Sequence, residues 1–193
     1  MIGNWDVNVA VGTLPEPVAT AVAKVSEELL GAVYTPIAYL GKQVVNGTNY
    51  AVLAEQLIVS GKDTKNVVVL IFNQKPGQVG DASLAAVERV VESGDALGGT
   101  VVDVKTEIPE DAKAVFAEAF EGFVGSKVEP VALLATQVTT GTDYIFAAEL
   151  TTVTAEPVKK AVLVRVNATT KKVDIADLLT SKGGLGYAFT WPH

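Results

Sequence analysis

The chain has 193 residues, carries a net charge of −7 and contains no cysteine. This acidic balance, with a pI near 4.7, argues against a surface for nucleic acid or anionic membranes, and the lack of cysteine excludes disulfides and thiol catalysis. The sequence shows neither a signal peptide nor an apolar stretch of about 20 residues that would predict a membrane span, so we expect a cytoplasmic or virion-associated location.

The first elements along the chain read as a strand followed by a helix. Residues 4–12 alternate apolar with polar or small side chains, which predicts a strand. Thr13 with Pro15 and Glu16 behind it predicts a helix start with Thr13 as the N-cap, and Gly31 is placed to end the helix. The apolar face of this helix is predicted to consist of Val18, Val22, Val25 and Leu29.

A β-hairpin is predicted next, with arms at residues 33–45 and 48–59. Asn46 and Gly47 join these two β-prone runs, and Asn-Gly is the strongest short hairpin signal in a sequence. A two-residue type I′ turn needs a positive φ at both central residues, which Asn and Gly adopt with least strain. The sequence therefore predicts a tight turn with its tip at Asn46-Gly47.

The remainder of the first half contains one clear strand and one ambiguous segment. Residues 67–72 form a continuous apolar run, which predicts a buried strand, and a turn with Pro-Gly at its tip follows at residues 73–78. Residues 79–92 fit either a helix or a strand. We favour the strand, because tertiary context overrides local propensity.

The second half of the chain repeats the first at a constant shift of about 94 residues. Pro15 falls on Pro109, Gly31 on Gly125, and the block from Gln43 to Tyr50 falls on the block from Gln137 to Tyr144. A repeat of this length is a duplicated domain. We therefore predict two domains, residues 1–94 and residues 95–193, with a glycine-containing linker at residues 93–99.

The second copy is expected to have the same order of elements. A strand is predicted at residues 100–105, a hairpin at Gly141, and two strands at residues 161–166 and 173–179, ahead of a tail at residues 183–193. The helix beginning at Pro109-Glu110 is expected to turn four side chains inward, namely Ala112, Phe116, Phe120 and Phe123. Each copy thus reads as a strand, a helix and four antiparallel strands, a sheet that buries one face under its helix.

Catalytic chemistry has little support in this sequence. The single histidine is the terminal residue, His193, and no carboxylates form a spaced pair that points into an obvious pocket. Without histidine or cysteine in the body of the chain, the usual nucleophile–base arrangements and histidine-rich metal sites are missing. We expect no catalytic residues, no cofactor and no metal, and therefore not an enzyme.

Two spaced motifs in the first copy closely resemble the cystatins, and within them the disulfide-free stefins. Gln43-Val44-Val45-Asn46-Gly47 fits the family's Gln-x-Val-x-Gly loop, and Lys75-Pro76-Gly77-Gln78 is similar to the second loop of stefins, where Leu-Pro-Gly-Gln is usual. The resemblance implies an α+β fold: two tandem cystatin-like domains, each with one helix packed across a curved antiparallel sheet in the order β-α-β-β-β-β.

The resemblance also implies a function, reversible and non-covalent inhibition of papain-like cysteine proteases. In the family, the N-terminal leader and two hairpin loops enter the active-site cleft of the protease side by side. Carried onto this sequence, the protein-binding residues are Gly3, Gln43, Val44, Val45, Asn46, Gly47, Lys75 and Pro76. In the second copy Thr139 and Thr170 replace Val45 and Pro76, so that copy is expected to be a poor inhibitor.

An alternative function remains open. The chain is also similar to short cystatin-like proteins of bacteria and phages, whose roles are mostly unassigned. This second resemblance implies a structural or assembly protein, for example a virion component. Its partners would be neighbouring subunits in a homo-oligomer. The region around Gly3 distinguishes the two: a leader free of strand structure favours inhibition, whereas a leader paired into a sheet and buried by another subunit favours assembly.

Overall fold

The computed structural model describes residues 3–94 and 99–179, and these form two compact units, the first ending at Glu92 and the second running from Ser93 to Leu179. The predicted domain boundary at 94/95 lies at the edge of the described residues, and the predicted tail at residues 183–193 lies outside them. No helix in the described part of the chain is both long and apolar enough to cross a membrane.

The first unit contains five strands and one helix: β1 (Asp6–Val11), α1 (Glu16–Glu28), β2 (Ala32–Val44), β3 (Thr48–Ile58), β4 (Thr64–Gln74) and β5 (Ser83–Glu92). The strands form one antiparallel sheet in the order β1-β2-β3-β4-β5. Residues 83–92 are thus a strand, as favoured from the sequence. The strand predicted at residues 4–12 is shorter than expected, and Gly3 to Trp5 precede it.

The second unit repeats this arrangement: β6 (Thr100–Lys105), α2 (Glu110–Ala119), β7 (Ser126–Thr139), β8 (Gly141–Thr152), β9 (Lys159–Asn167) and β10 (Val173–Asp177). Its antiparallel sheet has the order β10-β9-β8-β7-β6. In both units the last four strands form a meander, and the helix lies in the connection between the first two strands.

Local features recur 94 positions apart in the two units. Gly31 and Gly125 have φ values of +91° and +90°, and their carbonyls accept hydrogen bonds from Val59 and Val153, respectively. The long strands β2 and β7 carry irregularities at equivalent places, after Pro36 and Pro130 and again after Tyr39 and Leu133. These bulges increase the local twist of each sheet at the same point.

Both helices begin at a proline. Pro15 and Pro109 are the N-caps, each with φ −57°, and neither helix has a side-chain cap hydrogen bond. The predicted N-cap role of Thr13 is therefore wrong: Pro15 has no N–H to satisfy, and its fixed φ leads directly into the helix. Val18, Val22 and Val25 are buried against the sheet. The helix ends before Leu29, which is 38% exposed, and Phe123, predicted inward, is 47% exposed beyond the end of α2.

The predicted fold class, α+β with two cystatin-like domains of a helix across a sheet, is wrong. Strands account for 55% of the structure and helices for 13%, which makes it a mostly β protein with two antiparallel five-stranded sheets and two short helices. The sequence-based interpretation also expected one buried face per sheet. Yet the neighbouring residues Val67, Val68, Val69 and Leu70 are each at most 1% exposed. Because adjacent strand residues point to opposite faces, the sheet is buried on both.

Candidate protein-binding edge

The loop between β2 and β3 has three residues, Val45, Asn46 and Gly47, rather than the predicted two. The predicted positive φ values are present, +46° at Asn46 and +112° at Gly47. The Val45 N–H donates to the Gly47 carbonyl over 3.0 Å, which closes the loop. Strand pairing ends at Val44 and Thr48, so the third loop residue comes from the strand predicted to extend to Val45.

The loop between β4 and β5 lies beside this turn. A Cβ on Gly47 would overlap the carbonyl oxygen of Gln74 and lie 3.3 Å from the Cα of Lys75. Only glycine therefore permits this approach. The second loop is closed by Gln78, whose side chain accepts from the Lys75 N–H at 3.0 Å and donates to the Asp81 carbonyl at 2.7 Å.

An ion pair ties this second loop to the helix. The ammonium of Lys24 on α1 contacts the carboxylate of Asp81, and the hydrogen bond and charge of Asp81 raise the pKa of Lys24. The second unit has the equivalent arrangement, with Lys171 in the β9–β10 turn contacting Glu118 on α2. In each unit a charged pair thus joins the helix to the turn between the last two strands.

The leader lies on the other side of the β2–β3 loop. Gln43 donates a hydrogen bond to the Gly3 carbonyl over 2.8 Å, and a Cβ on Gly3 would lie only 2.6 Å from the Val44 carbonyl oxygen. The strand pairing of the leader begins three residues later, where Asp6 faces Lys42. Gly3 is therefore held by a side chain from β2 without being part of a strand.

A ladder of side-chain amides continues from Gln43 across the sheet. Asn49 on β3 donates to Gln43 over 3.2 Å, and Asn73 on β4 donates to Asn49 over 2.7 Å. Gln43 is only 1% exposed, so it has no surface to offer a partner. It is a positioning residue, which fixes the leader and the two strands that carry the loops.

The second unit has a comparable ladder, in which an arginine links two of the side chains. Gln137, Asp143 and Asn167 occupy the positions equivalent to Gln43, Asn49 and Asn73, and Arg165 stands where the first unit has Ile71. Arg165 donates to both Asp143 and Gln137, and Asn167 donates to Asp143 over 2.6 Å. Asp143 is 4% exposed. These charge-assisted hydrogen bonds offset the free-energy cost of burying its carboxylate.

The three segments Gly3–Trp5, Val44–Gly47 and Lys75–Asp81 form what we call the loop edge. Of the predicted binding residues, Val44, Asn46, Lys75 and Pro76 are exposed there, Gly3, Val45 and Gly47 are half-buried between the segments, and Gln43 is buried. Val44 is 67% exposed although it closes a strand. The charged side chains of these segments are Lys75 and Asp81, and the largest side chain is that of Trp5.

Sequence reasoning missed Val79 at this edge. Its side chain is 98% exposed in the β4–β5 loop, between the two residues Gln78 and Gly80 that fix the loop by hydrogen bonds. The available signal was an aliphatic residue isolated among Pro, Gly and Gln. Such a residue cannot reach a core from a turn and is left at the surface.

Among the described residues, no cluster of three or more His, Cys, Asp or Glu side chains could hold a metal ion. An open depression at the start of α2 is lined by residues 106–110, Lys113, Pro130 and Val131. Lys113 is paired with Glu110 over 2.7 Å, which gives this depression an ordinary surface ion pair.

Comparison of the chain with protein-family models, with curated proteins and with solved structures gave no match in any of the three.

Proposed function

We propose that the loop edge of the first unit binds a protein by entering a cleft, and that its target is a papain-like cysteine protease, inhibited reversibly and without a covalent bond. The observation that carries this proposal is the close packing of three segments at one end of a sheet, with Gly3 and Gly47 each against the next backbone. The resemblance of residues 43–47 and 75–78 to the cystatin loops supports the choice of target.

The rigidity of the loop edge favours tight binding. Each loop is closed by its own hydrogen bonds, and the leader is tied to β2 through Gln43. A surface that is ordered before binding loses little conformational entropy when it docks. Exposed aliphatic side chains at the edge, Val44 and Val79, would gain free energy by leaving water.

The proposal is tested by papain inhibition with a matched pair of variants. Val44→Glu places a charge on the loop edge at a side chain that makes no core contact. Val138→Glu makes the same change at the equivalent position of the second unit, where Val138 is 69% exposed. We expect competitive inhibition by the wild type, loss of inhibition in Val44→Glu, and no change in Val138→Glu.

Two results would overturn the inhibitor proposal. One is the absence of inhibition by folded wild-type protein at micromolar concentration. The other is equal loss in both variants, which would place the effect outside the loop edge. Circular dichroism and urea unfolding of all three proteins verify that the substitutions leave the fold intact.

A second candidate function, an assembly protein whose partners are neighbouring subunits, is favoured by a different observation. Large aliphatic residues are exposed beyond both helices at equivalent positions: Leu30 is 96% exposed and Val124 is 86% exposed. Val59 and Val153 donate hydrogen bonds to Gly31 and Gly125, the glycines that follow Leu30 and Val124. The side chains of these two valines are 55% and 71% exposed. Exposed apolar side chains that recur in both copies indicate a contact surface rather than a chance feature.

The assembly function is tested by native mass spectrometry across protein concentrations. We expect the wild type to form oligomers and the double variant Leu30→Ser with Val124→Ser to remain monomeric. A wild type that stays monomeric over the whole range would exclude self-assembly. A double variant that oligomerises as the wild type does would exclude this surface.

A further inference from the structure

We infer that Asn46 is a site of spontaneous deamidation, which converts the tip of the loop edge into a mixture of aspartate and isoaspartate. Asn46-Gly47 is the one Asn-Gly pair in the chain. Backbone cyclisation at asparagine is fastest when glycine follows, because no Cβ hinders the attacking nitrogen. Asparagine is among the thermolabile residues of proteins.

The structure distinguishes Asn46 from four asparagines of the sheets. Its side chain is exposed and makes no hydrogen bond to any residue that the structure describes. In these four residues the side-chain amide donates a hydrogen bond: Asn49, Asn66, Asn73 and Asn167. Those four amides would have to break a hydrogen bond, and a strand would have to open, before they could react.

The attacking group, the backbone nitrogen of Gly47, is not tied into the sheet. Within the described residues, the backbone N–H of Gly47 donates no hydrogen bond, although its carbonyl accepts one from Val45. Loss of this proton to solvent base frees the nitrogen for attack on Cγ of Asn46. Both partners of the reaction thus lie in a loop outside the strand ladder.

The reaction needs only water as a co-reactant. The Gly47 nitrogen forms a bond to Cγ of Asn46, the Cγ–Nδ2 bond breaks, and the amide leaves as ammonia after taking up a proton. Water then opens the five-membered succinimide at either carbonyl. One opening gives aspartate, and the other gives isoaspartate, in which the backbone runs through the side-chain carbon.

The product alters the loop edge in two ways. A carboxylate appears at its tip, and isoaspartate adds a carbon to the backbone of a three-residue loop. Gly47 is already in contact with the Gln74 carbonyl, so the longer loop must move away from its neighbour. This consequence for binding rests on the proposed function, whereas the chemical step does not.

The chemical step is tested by incubating the intact purified chain in mildly alkaline buffer and mapping peptides by mass spectrometry over time. We expect the mass shift of an amide-to-acid conversion at Asn46, with isoaspartate detected by enzymatic carboxyl methylation. Asn46→Gln is the control, since a glutamine would have to form a less favoured six-membered ring. The equivalent loop of the second unit, Thr140-Gly141, has no side-chain amide, so its mass should stay unchanged.

No conversion at Asn46, or conversion at Asn73 and Asn167 as fast as at Asn46, would overturn the inference. A second arm compares papain inhibition by fresh wild-type protein, by wild type aged in mildly alkaline buffer, and by wild type aged for the same time in slightly acidic buffer, where the Gly47 nitrogen keeps its proton. We expect inhibition to decline after alkaline ageing alone. If fresh protein does not inhibit, the proposed function fails while the mass result still decides the modification.

Discussion

Gln43 shows how one side chain of a binding motif can act through its neighbours. It is 1% exposed and donates to Gly3 while accepting from Asn49. The equivalent Gln137 interacts with Arg165 in the second unit, where the loop differs in sequence. The same glutamine thus stands beside two different loops. We explain its presence in both units by its role in holding the sheet together.

A single methyl group added at Gly47 should destabilise the fold. Gly47→Ala would force an alanine to φ +112° and press its Cβ onto the Gln74 carbonyl. We expect a loss of about 1–3 kcal/mol in the free energy of unfolding, measured by urea denaturation. Gly61→Ala is the control, because a Cβ there meets nothing within 4 Å. Equal losses at both positions would contradict the close approach of the two loops.

Tyr39 gives a prediction for alkaline pH. Burial, with smaller contributions from Tyr50 and Asp6, raises the pKa of Tyr39 from 10.0 to about 12. Because the raised pKa belongs to the folded state, its contribution to stability is complete below pH 10 and is lost as the pH rises towards 12.

Phenolate absorbance should therefore show one tyrosine ionising late in the folded protein, and Tyr39→Phe should remove that step. The difference in unfolding free energy between wild type and Tyr39→Phe should shrink across the same pH range. A titration in which all tyrosines ionise together would contradict the burial of this hydroxyl.

At the scale of elements, the amide ladders join three strands beneath the loops in each unit. The first unit uses Asn49 beside Ile71, and the second uses Asp143 beside Arg165. An uncharged pair and a charged pair thus occupy equivalent places in two copies of one sheet. The first unit therefore shows which residues could replace the charged pair of the second unit.

This exchange is predicted to be strongly non-additive. Asp143→Asn leaves the half-buried Arg165 without its carboxylate, and we expect a loss of about 2–3 kcal/mol in unfolding free energy. The double variant Asp143→Asn with Arg165→Ile recreates the pair of the first unit and should recover most of that loss. A double-mutant cycle by urea unfolding measures the coupling. Strictly additive losses would contradict a direct Asp143–Arg165 interaction.

Much of the element pattern was readable from the sequence, because strand alternation, Pro-led helix starts and Asn-Gly are local signals. The length of the β2–β3 loop was not, since strand pairing stops at Val44 and leaves Val45 in the turn. The burial of Gln43 was hidden for a related reason. The register shifts between Pro36 and Gly41 interrupt the alternation from which facing is inferred. The prediction that each sheet buries only one face was wrong, because the burial of the second face depends on tertiary packing.

At the scale of the whole molecule, charge and exposed apolar surface act together. The net charge of −7 makes copies of the chain repel one another at neutral pH. Near the pI of about 4.7 this repulsion disappears, while Leu30 and Val124 remain almost fully exposed. Apolar contacts between molecules are then no longer opposed.

We therefore expect a solubility minimum close to pH 4.7, measured as turbidity at constant ionic strength. The double variant Leu30→Ser with Val124→Ser has the same charge at every pH, so it should keep the position of this minimum while reducing its depth. Unchanged turbidity in the double variant would show that loss of repulsion alone causes the association. A minimum at another pH would show that the overall charge does not govern it. The shared pI of the two proteins separates these outcomes, because the variant changes apolar surface and nothing else.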